Sequence, residues 1–239
     1  QEVAISQDGQ KEAMEHAGRT GGLPFVGVGW YRTEFDVPQF QAGKRATILF
    51  DGAMSHANVY INGQKVGYWP YGYNSFHFDI TKYLKPGEKN TLAVRLENLP
   101  ESSRWYPGAG LYRNVHLIIT EDAYIPVWGT YITTPSVNEK FAKVNVRTKV
   151  VLPEGADPAK YSVETSVWNP NKQKLTAVRT SLAQMKYNNN QAEQEFVIQA
   201  PSLWSPEMPA LYSAETRLYE GDKLKDIYTT PFGIRSIEI

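Results

Sequence analysis

An all-β fold is predicted by three observations. Apolar and polar residues alternate with period two along most of the chain. Short turn dipeptides separate the alternating runs at close intervals. No alternation of strand and helix patterns occurs, so a doubly wound sheet or a (β/α)₈ barrel is excluded as the fold of these residues. The predicted architecture is antiparallel β, with an immunoglobulin-like β-sandwich in the second half.

The elements follow in order. Gln10 to His16 is compatible with a short helix. Gly27-Val-Gly29 precedes a strand rather than opening a helix, so it is not read as a nucleotide loop. Asn62-Gly63 stands between Val59-Tyr-Ile61 and Lys65-Val66, and both residues tolerate positive φ, which predicts a type I′ hairpin. In Ser75 to Thr81, Phe76, Phe78 and Ile80 form the buried face. Thr81 to Leu84 suits a single helical turn, and Pro86-Gly87 marks another reversal. In Thr91 to Glu97, Leu92, Val94 and Leu96 point inward. A strand over Asn114 to Thr120 ends at a boundary near Glu121 to Pro126. Seven strand candidates then follow at sandwich spacing: Val127–Thr133, Ala142–Val151, Tyr161–Trp168, Leu175–Ala183, Gln191–Gln199, Tyr212–Tyr219 and Lys225–Thr230. Two domains are therefore expected, 1–123 and 124–239.

Bulk properties narrow the function. The 239 residues are enough for two buried cores. Twenty-five basic and 25 acidic residues cancel, which leaves no basic footprint for nucleic acid or an anionic membrane. No apolar run approaches the ~20 residues of a membrane-spanning helix. The opening residues, Gln1 to Asp8, are polar and do not read as a signal peptide. With no cysteine, disulfides, thiolate metal sites and cysteine nucleophiles are excluded for these residues.

Catalytic motifs are sparse. His16, His56, His77 and His116 are scattered singly, without metal-ligand spacing. There is no Gly-x-Ser-x-Gly elbow and no phosphate loop. Glycoside hydrolysis needs two carboxylates flanking a bond. Glu97 with Glu101, or Asp79 with Glu97, are candidates, but they read more simply as solvated strand faces and turn caps. Asp36, Asp51 and Asp79 could contribute to a lectin-like calcium site, yet three scattered aspartates do not identify the six to eight oxygens such an ion takes. No metal and no organic cofactor is assigned.

The distinctive feature is a pair of aromatic, glycine-rich segments, Trp69-Pro-Tyr-Gly-Tyr-Asn74 and Arg104-Trp-Tyr-Pro-Gly-Ala-Gly-Leu-Tyr-Arg113. Aromatic rings on rigid turns can lie against sugar rings, or can fill a core. These segments belong to a wider pattern: Gly29-Trp-Tyr-Arg-Thr-Glu-Phe35, Leu49-Phe-Asp-Gly52, Val59-Tyr-Ile-Asn-Gly63, Gly67 to Phe76, Asp79-Ile-Thr81, Asn90 to Arg95 and Ser103 to Arg113. The pattern resembles the N-terminal sugar-binding jelly roll of glycoside hydrolase family 2, as in β-galactosidases and β-glucuronidases. Leu203 to Tyr212 and Phe232 to Glu238 resemble late strands of the immunoglobulin-like domain that follows it. The β-galactosidase branch fits better, through Pro-Tyr-Gly-Tyr and Ser-Arg-Trp-Tyr.

The resemblance implies a non-catalytic N-terminal fragment of a β-galactosidase-like enzyme that acts in carbohydrate degradation. In that family both catalytic glutamates lie in a (β/α)₈ barrel after the Phe-Gly-Ile-Arg strand, so this chain alone is expected to be inactive, and the barrel in the same polypeptide is its expected partner. The jelly roll is expected to lack its first strand. Glu101 to Gly110 falls where family members shape the sugar pocket, which makes Arg104, Trp105 and Tyr106 the substrate-binding candidates for a β-galactoside or related glycan. The alternative for them is a packing role at the barrel seam, with Arg104 and Arg113 paired to carboxylates. Trp69 to Tyr73 is expected to serve packing or interdomain contact. A periplasmic or secreted location fits exported relatives. A stand-alone lectin-like module is the second reading, and a purely adhesive two-domain protein the third.

Overall fold

The computed structural model describes residues 27–39, 43–98, 110–184 and 191–236. They form fourteen strands and three short 3₁₀ turns. The chain divides into two compact units, Gln1–Ile119 and Thr120–Ile239. The predicted all-β class is what the chain adopts, while Gln10 to His16 lies outside the described residues.

The first unit is a sandwich of two antiparallel sheets. Its strands are β1 (Gly27–Asp36), β2 (Arg45–Phe50), β3 (Ala57–Ile61), β4 (Gln64–Trp69), β5 (Phe76–Asp79), β6 (Lys89–Asn98) and β7 (Val115–Thr120). One sheet runs β1-β6-β3-β4 and the other β5-β2-β7. The β3–β4 hairpin turns on Asn62 and Gly63 at φ 50° and 80°, both positive as a type I′ turn requires. Thr81–Tyr83 forms the expected helical turn, as 3₁₀. Leu92, Val94 and Leu96 are buried, as their alternation demands. Phe50, fully buried, stacks on Phe76 at 4.8 Å between ring centroids. Phe76 in turn stacks on Trp69 at 5.7 Å. The hairpin is tied down by a buried amide: Asn62 Nδ2 donates to Asn90 Oδ1, which also accepts from the Lys85 backbone. Asn90 Nδ2 donates to the carbonyls of Lys85 and Glu88, so this side chain, 1% exposed, is fully satisfied.

Tyr31 and Thr33 stand opposite Val94 and Leu92 in the β1–β6 register and so share their inward face. Both are nevertheless exposed, whereas Val94 and Leu92 are buried. The four-stranded sheet is paired with three described strands, and among the described residues the inner face of β1 at Tyr31 and Thr33 is not buried.

The second unit has seven strands: β8 (Thr130–Val137), β9 (Phe141–Lys149), β10 (Tyr161–Trp168), β11 (Lys174–Ser181), β12 (Gln191–Gln199), β13 (Tyr212–Glu220) and β14 (Lys223–Phe232). The sheets run β11-β10-β13-β14 and β12-β9-β8, four strands over three. Two apolar clusters fill the interior, one around Val144, Phe196 and Ile234, the other around Ile125, Val163 and Leu218. Buried Thr165, Thr216 and Gln194 form a polar band in this interior. Thr165 and Thr216 bond across strands at 3.2 Å, and Gln194 Nε2 donates to the carbonyls of Val163 and Val178. The two late motifs pack on each other: Trp204 N–H donates to the Ile234 carbonyl, and the Arg235 guanidinium lies 4.6 Å from the Trp204 ring.

The start of the second unit is fastened to β14. Ile125 N–H donates to Asp226 Oδ2 at 2.8 Å, and Lys225 Nζ, on a side chain only 8% exposed, meets Asp122 at 2.9 Å. The Lys225 hydrogen bond holds the Asp122 carboxyl below its ordinary pKa. This pairing therefore stabilises the fold above the unfolded carboxylate range, near about pH 4, and is lost as pH falls through the depressed folded value. Burial raises Asp226 instead, so its contribution has the opposite sign and fades as pH rises through its folded value. Asp122→Asn is expected to cost about 1 kcal/mol at pH 7, the modest figure for a partly exposed ion pair. The loss should shrink in urea titrations at pH 3; an equal loss at both pH values would contradict this assignment.

Candidate functional site

Four pieces of the first unit converge: the loop after β2 (51–56), the turn between β4 and β5 (70–75), the end of β6, and the segment entering β7 (110–114). Met54 and Ser55, joined by a cis peptide bond, link two of them. Met54 exchanges both backbone hydrogen bonds with Gly110, each at 3.0 Å. Ser55 does the same job one residue on. Its carbonyl accepts the Glu97 N–H at 2.9 Å and its Oγ donates to the Glu97 carbonyl at 2.8 Å. Glu97 and Gly110 are the flanks of the segment that carries Arg104, Trp105 and Tyr106. Two adjacent residues thus hold both ends of it. Arg104, Trp105 and Tyr106 themselves, and Glu101, lie outside the described residues.

The glycines explain how the pieces fit so closely. At Gly52 a Cβ would stand 2.7 Å from the Tyr112 hydroxyl, and at Gly110 it would stand 2.5 Å from the Tyr31 hydroxyl. Gly110 also takes φ 119°, a conformation L side chains rarely adopt. At Gly72 a Cβ would run into the Met54 thioether. Tyr112 Oη donates to the Gly72 carbonyl at 2.8 Å, and His56 N–H donates to the Pro70 carbonyl at 3.1 Å, which pins the 70–75 turn from two sides. Asp51 collects the rest. Its carbonyl accepts from Ser75 Oγ and from Arg113 Nη1, and its carboxylate meets His116 Nε2 at 2.9 Å.

The two aromatic segments behave differently from one another and within themselves. Trp69 is half-buried and packs on the core through Phe76, which is the packing role expected of it. Tyr71 and Tyr73, in contrast, are 53% and 41% exposed. The alternative reading paired Arg113 with a carboxylate; among the described residues it meets the Asp51 carbonyl and the face of Tyr112, 5.0 Å away.

The remaining candidates are dispersed. Asp79 caps the Thr81 N–H and faces Arg45, while Glu97 pairs with Arg95 at 3.1 Å in the other sheet, so the two do not form a catalytic pair. His56 Nδ1 bonds the Tyr68 hydroxyl, and His77 lies exposed on β5. Among the described residues, no group of three or more His, Cys, Asp or Glu side chains is placed to hold a metal ion, and Asp36, Asp51 and Asp79 are not gathered. The sequence reading did not single out Met54, Ser55 or Tyr31. Gly72 and Gly110 are the signal that marks Met54 and Tyr31, since these neighbours approach where a Cβ would stand; no such signal marks Ser55.

Comparison with known proteins gives a consistent picture. Residues 24–121 match the family model described as glycosyl hydrolases family 2, sugar binding domain, and residues 124–235 match the model described as glycosyl hydrolases family 2. A β-galactosidase of Bacteroides ovatus is 40% identical over 95% of this chain, which covers 27% of that protein. A β-glucuronidase of Bacteroides fragilis is 32% identical over 87% of the chain, which covers 31% of it. The crystal structure of a glycosyl hydrolase family 2 member from Bacteroides cellulosilyticus superposes with a TM-score of 0.81 at 33% identity, over 92% of this chain and 28% of that one. The chain thus spans about a third or less of the length of the relatives it matches.

Proposed function

We propose, because the chain belongs to glycosyl hydrolase family 2 and comprises its two N-terminal β-sandwich domains, that it is the non-catalytic part of a longer bacterial enzyme that hydrolyses β-galactosides. In this reading the first unit rims an active site whose catalytic glutamates lie in a downstream (β/α)₈ barrel of the same polypeptide. The second unit spaces and orients the first. The observation that supports the rim role is the double grip of Met54 and Ser55 on both flanks of the segment bearing Arg104, Trp105 and Tyr106. A binding loop works best when a rigid scaffold fixes its ends, because the ordering entropy is then spent before the ligand arrives. Arg104 would hydrogen-bond sugar hydroxyls, and Trp105 or Tyr106 would stack on a ring face. A further strand beside β7 would cover the exposed inner face of β1. Export to the periplasm or the medium suits an enzyme that digests glycans.

The test compares this chain with the longer polypeptide on p-nitrophenyl β-galactoside, with the β-glucuronide as second substrate. The chain alone is expected to release no nitrophenol, and the longer protein to prefer the galactoside. Arg104→Ala and Trp105→Ala in the longer protein should lower kcat/KM by about 10- to 100-fold, the scale of one or two lost positioning contacts. Hydrolysis by this chain alone would sink the reading, and a preference for the glucuronide would redirect its substrate.

A further inference from the structure

The exposed tyrosines of the 70–75 turn are held rather than loose. Tyr71 and Tyr73 stand 5.6 Å apart between ring centroids, tilted by 60°. Gly72 between them is buried against Met54 and accepts the Tyr112 hydroxyl, and Tyr112 is itself 45% exposed. Three tyrosine rings therefore crowd one short stretch of backbone. That stretch is clamped by the bonds from His56 and Tyr112 and by Ser75 to the Asp51 carbonyl. Along the same edge lie Arg113, on the Tyr112 ring, and the Asp51–His116 pair. Apolar faces with charged hydrogen-bonding groups at their border are what a pyranose needs, since it offers a C–H face and a rim of hydroxyls.

We propose that Tyr71, Tyr73 and Tyr112, with Arg113 at their border, form a glycan-contact surface that takes β-galactoside chains. The proposal rests on the carbohydrate reading above and names a contact surface within it. Size favours a sugar over a protein partner. Rings of this kind bury about 150–250 Å² each when covered, so three half-exposed ones offer on the order of 300 Å². A stable protein interface takes roughly 800 Å² from each partner. The patch matches one or two hexose rings.

The experiment uses this chain and measures retardation in native gels containing soluble β-1,4-galactan, with dextran gels as reference. The parent chain should be retarded by galactan and not by dextran. Tyr71→Ala with Tyr73→Ala should weaken the association at least tenfold, and Tyr71→Phe should keep it, because the ring face is retained. Trp30→Ala removes an exposed ring on the outer face of β1 and should change nothing. Circular dichroism melts of each variant confirm folding. A parent chain that is not retarded, or retardation unchanged in the double variant, overturns the proposal. So does a double variant that leaves retardation intact while lowering the melting temperature of the longer polypeptide, which would assign the tyrosines to a protein contact. Hydrolysis is not read in this assay. A chain that binds galactan while its longer form hydrolyses nothing therefore separates this proposal from the enzymatic one.

Discussion

Phe50→Ala is expected to lower the stability of the first unit by about 3–5 kcal/mol. Phe50 is 0% exposed at the end of β2 and stacks nearly parallel on Phe76, with interplanar angle 10°. Phe76 extends the stack to Trp69 and meets Phe78 edge-on at 5.7 Å. Removal of the first ring leaves a cavity that the flanking strands cannot close, because both are fixed by ladder hydrogen bonds. The stack is continuous with the 70–75 turn through Trp69, so the loss should reach the tyrosines as well. Urea unfolding followed by tryptophan fluorescence gives the free energy for this unit. Phe50→Leu should cost less than half as much, since it keeps most of the volume. Equal losses from both substitutions would show that the ring stack, and not the filled volume, sets the stability of this site.

The second large effect is expected at Gly110. Gly110→Ala forces a side chain onto φ 119° and places its Cβ 2.5 Å from the Tyr31 hydroxyl. The backbone part costs about 1–3 kcal/mol and has no cheap relaxation. The contact part does have one, because Tyr31 is 41% exposed and its ring tip can move. Tyr31→Phe, which removes the hydroxyl, should therefore recover only the smaller share of the loss in the double variant. In the longer enzyme, Gly110→Ala should also loosen the grip of Met54 on one flank of the Arg104-bearing segment and reduce kcat/KM by about tenfold or more, as misplacement of a positioning group does. Limited proteolysis between residues 98 and 110 reads the same loosening directly. Full recovery of stability by Tyr31→Phe would show that the contact, not the backbone, sets the need for glycine.

Much of the fold was legible because β-structure writes itself locally. The alternation of Leu92, Val94 and Leu96, the Asn62-Gly63 turn, and the spacing of the last seven strands each follow from rules that act within a few residues. Tyr161–Trp168 and Gln191–Gln199 form strands with the ends expected of them. The first unit's site was legible only in part. The sequence marked Trp69 to Tyr73 as a block, yet the block divides: Trp69 turns inward to Phe76 while Tyr71 and Tyr73 face solvent. Nothing in the local pattern distinguishes these rings, because their surroundings come from β5 and from residues 40 positions away at Tyr112.

What the sequence by itself determined is the class of the protein: an all-β chain of two sandwiches, neutral, without cysteine, carrying the residue pattern of family 2 from Gly29 to Glu238. Those properties depend on composition, short-range periodicity and motif order, all of which one chain displays without folding. What only the tertiary structure decided is who holds whom. Met54 and Ser55 meet Gly110 and Glu97 far along the chain, and Gly52 and Gly110 make room for Tyr112 and Tyr31 while Gly72 makes room for Met54. Such contacts are set by how two sheets and their loops close over one core, a long-range event that leaves no trace in local pattern beyond the missing Cβ atoms.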